Sequence, residues 1–166
     1  MRARALLLGG AGAVAAVLVW WLFIAALPAG GARDAIASRL ALGAASLLPA
    51  AAVLAAMILA QMAVRFASGT FDPTAGADSR FLVVNQRVIA NTVEQMACFA
   101  PAMLALSVAT APVRMGMVVA LGLTFAVARI AFWIGYLRAP LLRAPGMAAT
   151  FLVTIVALVG ALWAWV

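Results

Sequence analysis

The chain reads as five long apolar runs separated by short polar or proline-containing breaks. A helix crosses the hydrocarbon core of a bilayer with about 20 mainly apolar residues at about 1.5 Å each. Residues 6–27 (LLLGGAGAVAAVLVWWLFIAAL) form the first such run, closed by Pro28 and the Gly30–Gly31 pair. The second extends from about Leu40 to Arg65, the third from near Phe81 to about Thr110, the fourth from Val113 to Leu137 and the fifth from Gly146 to Val166. The break Thr110-Ala111-Pro112 is short enough to make the third and fourth helices a tight antiparallel hairpin. Pro49 and Pro101 fall inside the second and third runs and are expected to kink them. RFASGTFDPTAGADSRF is the longest connection; its Gly, Ser and Pro content predicts mobility, and Asp72 and Asp78 partly offset Arg65 and Arg80. The pattern predicts an all-α integral membrane protein of five spans.

Composition agrees and narrows the function classes. At 69% hydrophobic and 9% charged residues, the surface cannot face water, because a soluble domain carries roughly a quarter of its residues charged. All eleven basic residues are Arg. They form no stripe interleaved with aromatics, so the net charge of +7 reads as membrane-flanking charge and nucleic acid is not an expected partner. With the N-terminus cytoplasmic, Arg2, Arg4, Arg65, Arg80, Arg87, Arg138 and Arg143 fall inside and Arg33, Arg39 and Arg114 outside, which obeys the positive-inside rule. The C-terminus is then external, and a bacterial inner membrane is the expected location. Trp20, Trp21, Trp163 and Trp165 sit where outer interfacial aromatics belong. Arg2 and Arg4 before an apolar run also resemble a secretory signal, but a run of some 22 residues exceeds the usual signal core and favours a retained anchor.

There is no histidine and one cysteine, Cys98. Disulfides within the chain, histidine metal ligands and histidine general bases are therefore excluded, and no metal site is expected. Cys98 reads as a small apolar group. Gly9, Gly10 and Gly12 lie in a span and read as helix-packing positions rather than a nucleotide loop.

The costly polar groups cluster. In NQRVIANTVEQMACF, Arg87, Asn91 and Glu94 are spaced by four and three residues and share one helical face, with Val88, Ile89, Val93 and Met96 opposite. Glu94 lies about 10 Å along the helix from Arg87, where an unpaired carboxylate is expensive. Arg129 is the basic residue inside another span and its expected partner; Tyr136 follows two turns later. The two faces are expected to enclose a cationic pocket open to the cytoplasm, lined by Arg87, Asn91, Glu94, Arg129 and Tyr136. Alternatively, Glu94 and Arg129 merely hold two helices together. Arg-Ala-Pro recurs at 138–140 and 143–145; the prolines are expected to keep this loop non-helical, with Arg138 and Arg143 at the headgroups or at the pocket mouth.

These residues resemble the MAPEG family, the membrane-associated proteins of eicosanoid and glutathione metabolism. The likeness rests on RVIANTVEQ (87–95), ARIAFWIGYL (128–137) and RAPGMAATF (143–151), and covers about 40–166. It implies a four-helix bundle at 40–166, with 1–39 adding an N-terminal membrane helix and external loop. It further implies a homotrimer that takes glutathione as co-substrate between subunits and a lipophilic acceptor from the membrane lipids. Carried over by position, Arg87, Asn91, Glu94, Arg129 and Tyr136 would bind the ligand, and Arg138 at the pocket mouth is expected to join them. Arg143 or Tyr136 would be catalytic, stabilising the thiolate of a transferase or peroxidase. The pattern departs at Ile89, where many members carry histidine, and at Phe151, where many carry tyrosine. A family-related protein binding a small anionic or lipid ligand without chemistry, and a structural or transport subunit, are the alternatives.

Overall fold

The computed structural model describes residues 2–27 and 35–166; Pro28, Gly30, Gly31 and Arg33 lie outside the described residues. Six α-helices follow in order: α1 Arg2–Ala26, α2 Ile36–Ala45, α3 Leu48–Ser68, α4 Arg80–Ala109, α5 Met115–Arg138 and α6 Ala144–Trp165. Short 3-10 turns, Pro112–Arg114 and Pro140–Arg143, precede α5 and α6. Because α2 and α3 together make one crossing, five segments are long and apolar enough to span a bilayer. Helices satisfy this demand because each backbone group is bonded within its own segment, where lipid offers no partner.

Pro49 explains the split second span. It sits in the first turn of α3, where a missing N–H costs nothing, and the chain bends just before it at Ser46 and Leu47. Pro101, in contrast, is carried within an unbroken α4. Between α5 and α6 the expected non-helical loop is corrected: residues 140–143 make a 3-10 turn and Pro145 belongs to the first turn of α6. Gly146 makes this possible, since any Cβ there would collide with the backbone of Phe132 on α5.

The most buried helix is α5, flanked by α4 and α6, with Phe99 and Phe125 stacked at 4.3 Å between ring centroids. The first helix packs on α6 and α5 through a narrow face, Gly12 and Ala16. A Cβ on Gly12 would strike the Pro145 backbone, so of the three clustered glycines this one brings the helices into backbone contact, whereas Gly10 meets nothing.

Cross-links at the helix ends align the bundle. At one face, Trp20 Nε1 donates to Met117 O (3.2 Å), Trp165 Nε1 to Ala105 O (3.3 Å) and Arg39 Nη1 to Thr110 O (2.9 Å). At the other, Arg80 Nη1 donates to Leu137 O at 2.8 Å. Arg39 and Arg114 therefore share one face while Arg80 and Arg138 share the opposite one, the grouping expected from the sequence. The 69–79 connection is tied at its base by a bidentate Arg65–Asp78 pair (3.0 and 2.8 Å). Asp72 makes no direct ion pair among the described residues; it accepts from the hydroxyl and amide of Thr74, and these bonds, with a smaller contribution from the charge of Arg65, hold its carboxyl below the ordinary value.

Candidate functional site

Three helices contribute one pair of residues each, four apart, so that each pair stacks on one helical face. From α4 come Arg87 and Asn91, from α5 Phe132 and Tyr136, and from the entry to α6 Arg143, the last residue of the 3-10 turn, with Met147 one turn on. Together they line a cleft of about 330 Å³ at the face where Arg80 meets Leu137. The volume lies within the range of small-molecule sites. The Arg143 guanidinium rests over the Tyr136 ring, 4.7 Å from its centroid, and Tyr136 in turn meets Phe132 edge-on at 5.8 Å.

Arg129 lies behind this wall rather than in it. Its side chain is wholly buried. Nη1 donates to Asn91 Oδ1 (3.2 Å), Nη2 to Thr92 Oγ1 (2.7 Å), and the guanidinium stacks 4.1 Å from the Phe132 centroid. Nε has no partner. A buried cation is tolerable only when hydrogen-bonded; here neutral oxygens and an aromatic face fill that role, and among the described residues no carboxylate pairs with it.

The expected ion pair between Glu94 and Arg129 is not formed: the salt bridge among the described residues is Arg65–Asp78. Asn91 stands between the two groups, accepting from Arg129 through Oδ1 and donating to Glu94 Oε2 at 3.4 Å through Nδ2. Glu94 is exposed, because three residues advance a helix about 60° short of a full turn and swing it away from α5. The cleft wall consequently holds two arginines and no acid, with a third arginine beneath, which makes it more cationic than the sequence pattern implied. Arg138 ends α5, exposed and outside the lining; Cys98 is exposed and also outside it.

Thr92, Phe132 and Met147 are contributors that the polar pattern missed. A signal existed for Thr92: a buried arginine needs several acceptors, and its hydroxyl neighbours Asn91 in sequence. A second polar knot lies near the cleft, where Asn85 Oδ1 accepts from Trp133 Nε1 (2.7 Å) and its amide donates to Gln61 Oε1 and Met57 O (both 2.9 Å). Gln61 Nε2 donates to Leu82 O at 3.2 Å, so α3, α4 and α5 are cross-tied beside the site. Asn85 precedes Arg87 by two residues, about 200° of helix rotation, which explains why one faces the core and the other the cleft.

No curated protein and no solved structure matches the chain. A family match does exist, and it extends over residues 11–163, beginning inside α1 and running nearly to the end of α6. It takes in all three stripes that build the cleft, in the order and spacing noted above, and on that basis this membrane protein belongs to the MAPEG family.

Proposed function

We propose that the protein is a glutathione-dependent transferase or peroxidase acting on lipophilic electrophiles. One observation supports this most: Arg87 and Arg143 line a cleft without carboxylates, above the buried charge of Arg129. Glutathione brings two carboxylates that such a wall complements. Arg87 and Asn91 receive a carboxylate and an amide, and Arg143 faces the sulfur. Arg129, too deep to touch a ligand, acts as a positioning residue that holds Asn91 and adds to the field. Glu94, outside the lining, takes the glutathione amine only where a neighbouring subunit completes the site.

In the reaction the thiol proton passes to water at the cleft mouth, and Arg143 or the Tyr136 hydroxyl stabilises the sulfur anion. The new S–C bond forms as the acceptor's leaving group departs with its electron pair. Homotrimer assembly is part of this reading. Gln86, Arg87 and Glu94 are exposed on α4 within a span, and charged groups inside a bilayer are costly against lipid, so a neighbouring copy is the natural cover. The orientation is the N-terminus in the cytoplasm of a bacterial inner membrane, with the cleft on that side.

Calorimetric titration of glutathione into the detergent-purified protein tests the reading. Arg87→Ala is expected to weaken binding at least tenfold, the loss of about 1.5–3 kcal/mol for a charge-assisted bond. Arg143→Ala and Tyr136→Phe, compared by thiolate ultraviolet absorbance, identify the sulfur partner; unchanged thiolate in both overturns that assignment. Ile89 and Phe151 supply no imidazole or hydroxyl, which favours a second reading: binding of another small anion or lipid without chemistry. Absence of saturable glutathione binding by the assembled protein selects that second reading.

A further inference from the structure

At the membrane face opposite the cleft, the ends of α1, α4, α5 and α6 part around a cavity of about 400 Å³. Its inner wall is aliphatic, built from Leu106, Val118, Leu121 and Val156, and its rim carries Arg114 with the indoles of Trp20 and Trp163. Trp20, Leu121 and Val156 also border a narrower, wholly apolar crevice of about 50 Å³ that continues to Leu152. From Trp163 to Leu152 is eleven residues of α6, about 16 Å of helix. The two spaces together form a broad mouth at the interface and a narrow slot directed toward the bilayer centre.

Bundle interiors pack densely, and a void this large forfeits dispersion contacts unless something fills it. Water is a poor filler for the slot, whose apolar lining offers no hydrogen-bond partners. At the mouth the chemistry changes. Arg114 is exposed and makes no ion pair among the described residues. Arg39, bonded to Thr110 O at 2.9 Å, brings a second guanidinium to the same turn, also without an acidic partner among them. Arg114 and the interfacial indoles above an aliphatic slot, with Arg39 near the mouth but outside its lining, complement a phosphate joined to an acyl chain.

We propose that this cavity binds one anionic phospholipid of the surrounding bilayer, its phosphate at Arg114 and one acyl chain in the slot. The wide mouth suits a glycerophosphate head and the narrow slot a short stretch of one tail, the rest of that tail and the other chain remaining in the membrane. Trp20, whose Nε1 is bonded to Met117 O at 3.2 Å, makes α1 the closing wall. The site therefore depends on α1, and it is independent of what the cleft at the other face binds.

Native mass spectrometry of the intact, detergent-released protein tests it, after incubation with equimolar phosphatidylglycerol, phosphatidylethanolamine and palmitate. Phosphatidylglycerol is expected to be retained about tenfold over the other two. Arg114→Gln brings it down to the phosphatidylethanolamine level. Gly160→Leu abolishes retention of every lipid, because even a Cβ there stands 3.3 Å from Leu106 Cδ1. Equal retention of the two phospholipids, preference for palmitate, or unchanged retention in Arg114→Gln overturns the proposal. Size exclusion and circular dichroism show whether the variants assemble. If Gly160→Leu does not, brominated-acyl phosphatidylglycerol bilayers replace it: tryptophan quenching stronger than in matching phosphatidylethanolamine bilayers and reduced in Trp163→Phe supports the site, and equal quenching refutes it.

Discussion

Thr92→Val removes one oxygen from the support of a buried cation while leaving side-chain volume nearly unchanged. Thr92 is wholly buried, accepts from Arg129 Nη2 at 2.7 Å and donates to Val88 O at 2.7 Å. The second bond only recaptures a carbonyl of the preceding helical turn, so its loss is cheap. The first is a hydrogen bond to a charged group, for which removal of one partner costs about 1.5–3 kcal/mol. Nε of Arg129 already lacks a partner among the described residues, so the guanidinium would keep Asn91 Oδ1 and the Phe132 face alone. Ordinary interhelical hydrogen bonds in membranes average about 0.6 kcal/mol, and this difference makes the experiment decisive. Reversible unfolding in mixed micelles by a denaturing detergent is expected to show a loss of about 2 kcal/mol or more for Thr92→Val. Arg129→Met on its own removes the buried charge, and in that background Thr92→Val is expected to cost far less, giving a coupling of about 1–2 kcal/mol in the double-mutant cycle. A single-variant cost near 0.6 kcal/mol with no coupling would show that Arg129 is served by water or lipid headgroups and refute the picture of a dry, protein-held charge beneath the cleft.

Other perturbations probe separate parts of the bundle. Gly12→Leu should detach α1 from α6, since a side chain there collides with the Pro145 backbone; cysteine cross-linking between positions 9 and 148, 3.7 Å apart from a built Cβ to Ala148 Cβ, is expected to drop sharply, and undiminished cross-linking would contradict the packing. Asp78→Asn removes the bidentate partner of Arg65; for a part-buried pair with side chains only 17% and 13% exposed the stability loss should be about 1–3 kcal/mol, while protease cleavage in 69–79 accelerates. Trp133→Phe leaves Asn85 Oδ1 without its donor and should cost about 1–3 kcal/mol in the same micelle unfolding assay, whereas a neutral result would mean that the knot beside the cleft is not needed.

Reading the chain alone went furthest where lipid imposes a rule on every residue. Five runs of apolar side chains had to become five crossings, because an unpaired backbone group in hydrocarbon costs several kcal/mol, and they did. The spacing of Arg87 and Asn91, and of Arg129 and Tyr136, was legible because the helical repeat alone sets which residues share a face. Proline was less legible. Pro49 and Pro145 both entered first helical turns, while Pro101 stayed inside a helix, and a proline's effect depends on whether its neighbours supply partners for the freed carbonyl. The extent of the family match was also only partly visible, since the matched part of α1, from residue 11 on, is apolar and has no motif residue to align by eye.

What the sequence determined by itself is the membrane setting, the number of crossings, the segregation of arginines to two faces and the stripe of polar residues on α4. These follow from hydrophobicity and helical period, which act locally. Only the tertiary structure decided what the polar groups do: Arg129 turned to Asn91 and Thr92 instead of Glu94, Arg143 came to rest on Tyr136, and Asn85 joined Gln61 and Trp133. Such pairings depend on helix rotation and on backbone approach at glycines such as Gly146. A rotation of a few tens of degrees decides whether a carboxylate meets an arginine or the outside of the subunit, and packing between helices sets that angle.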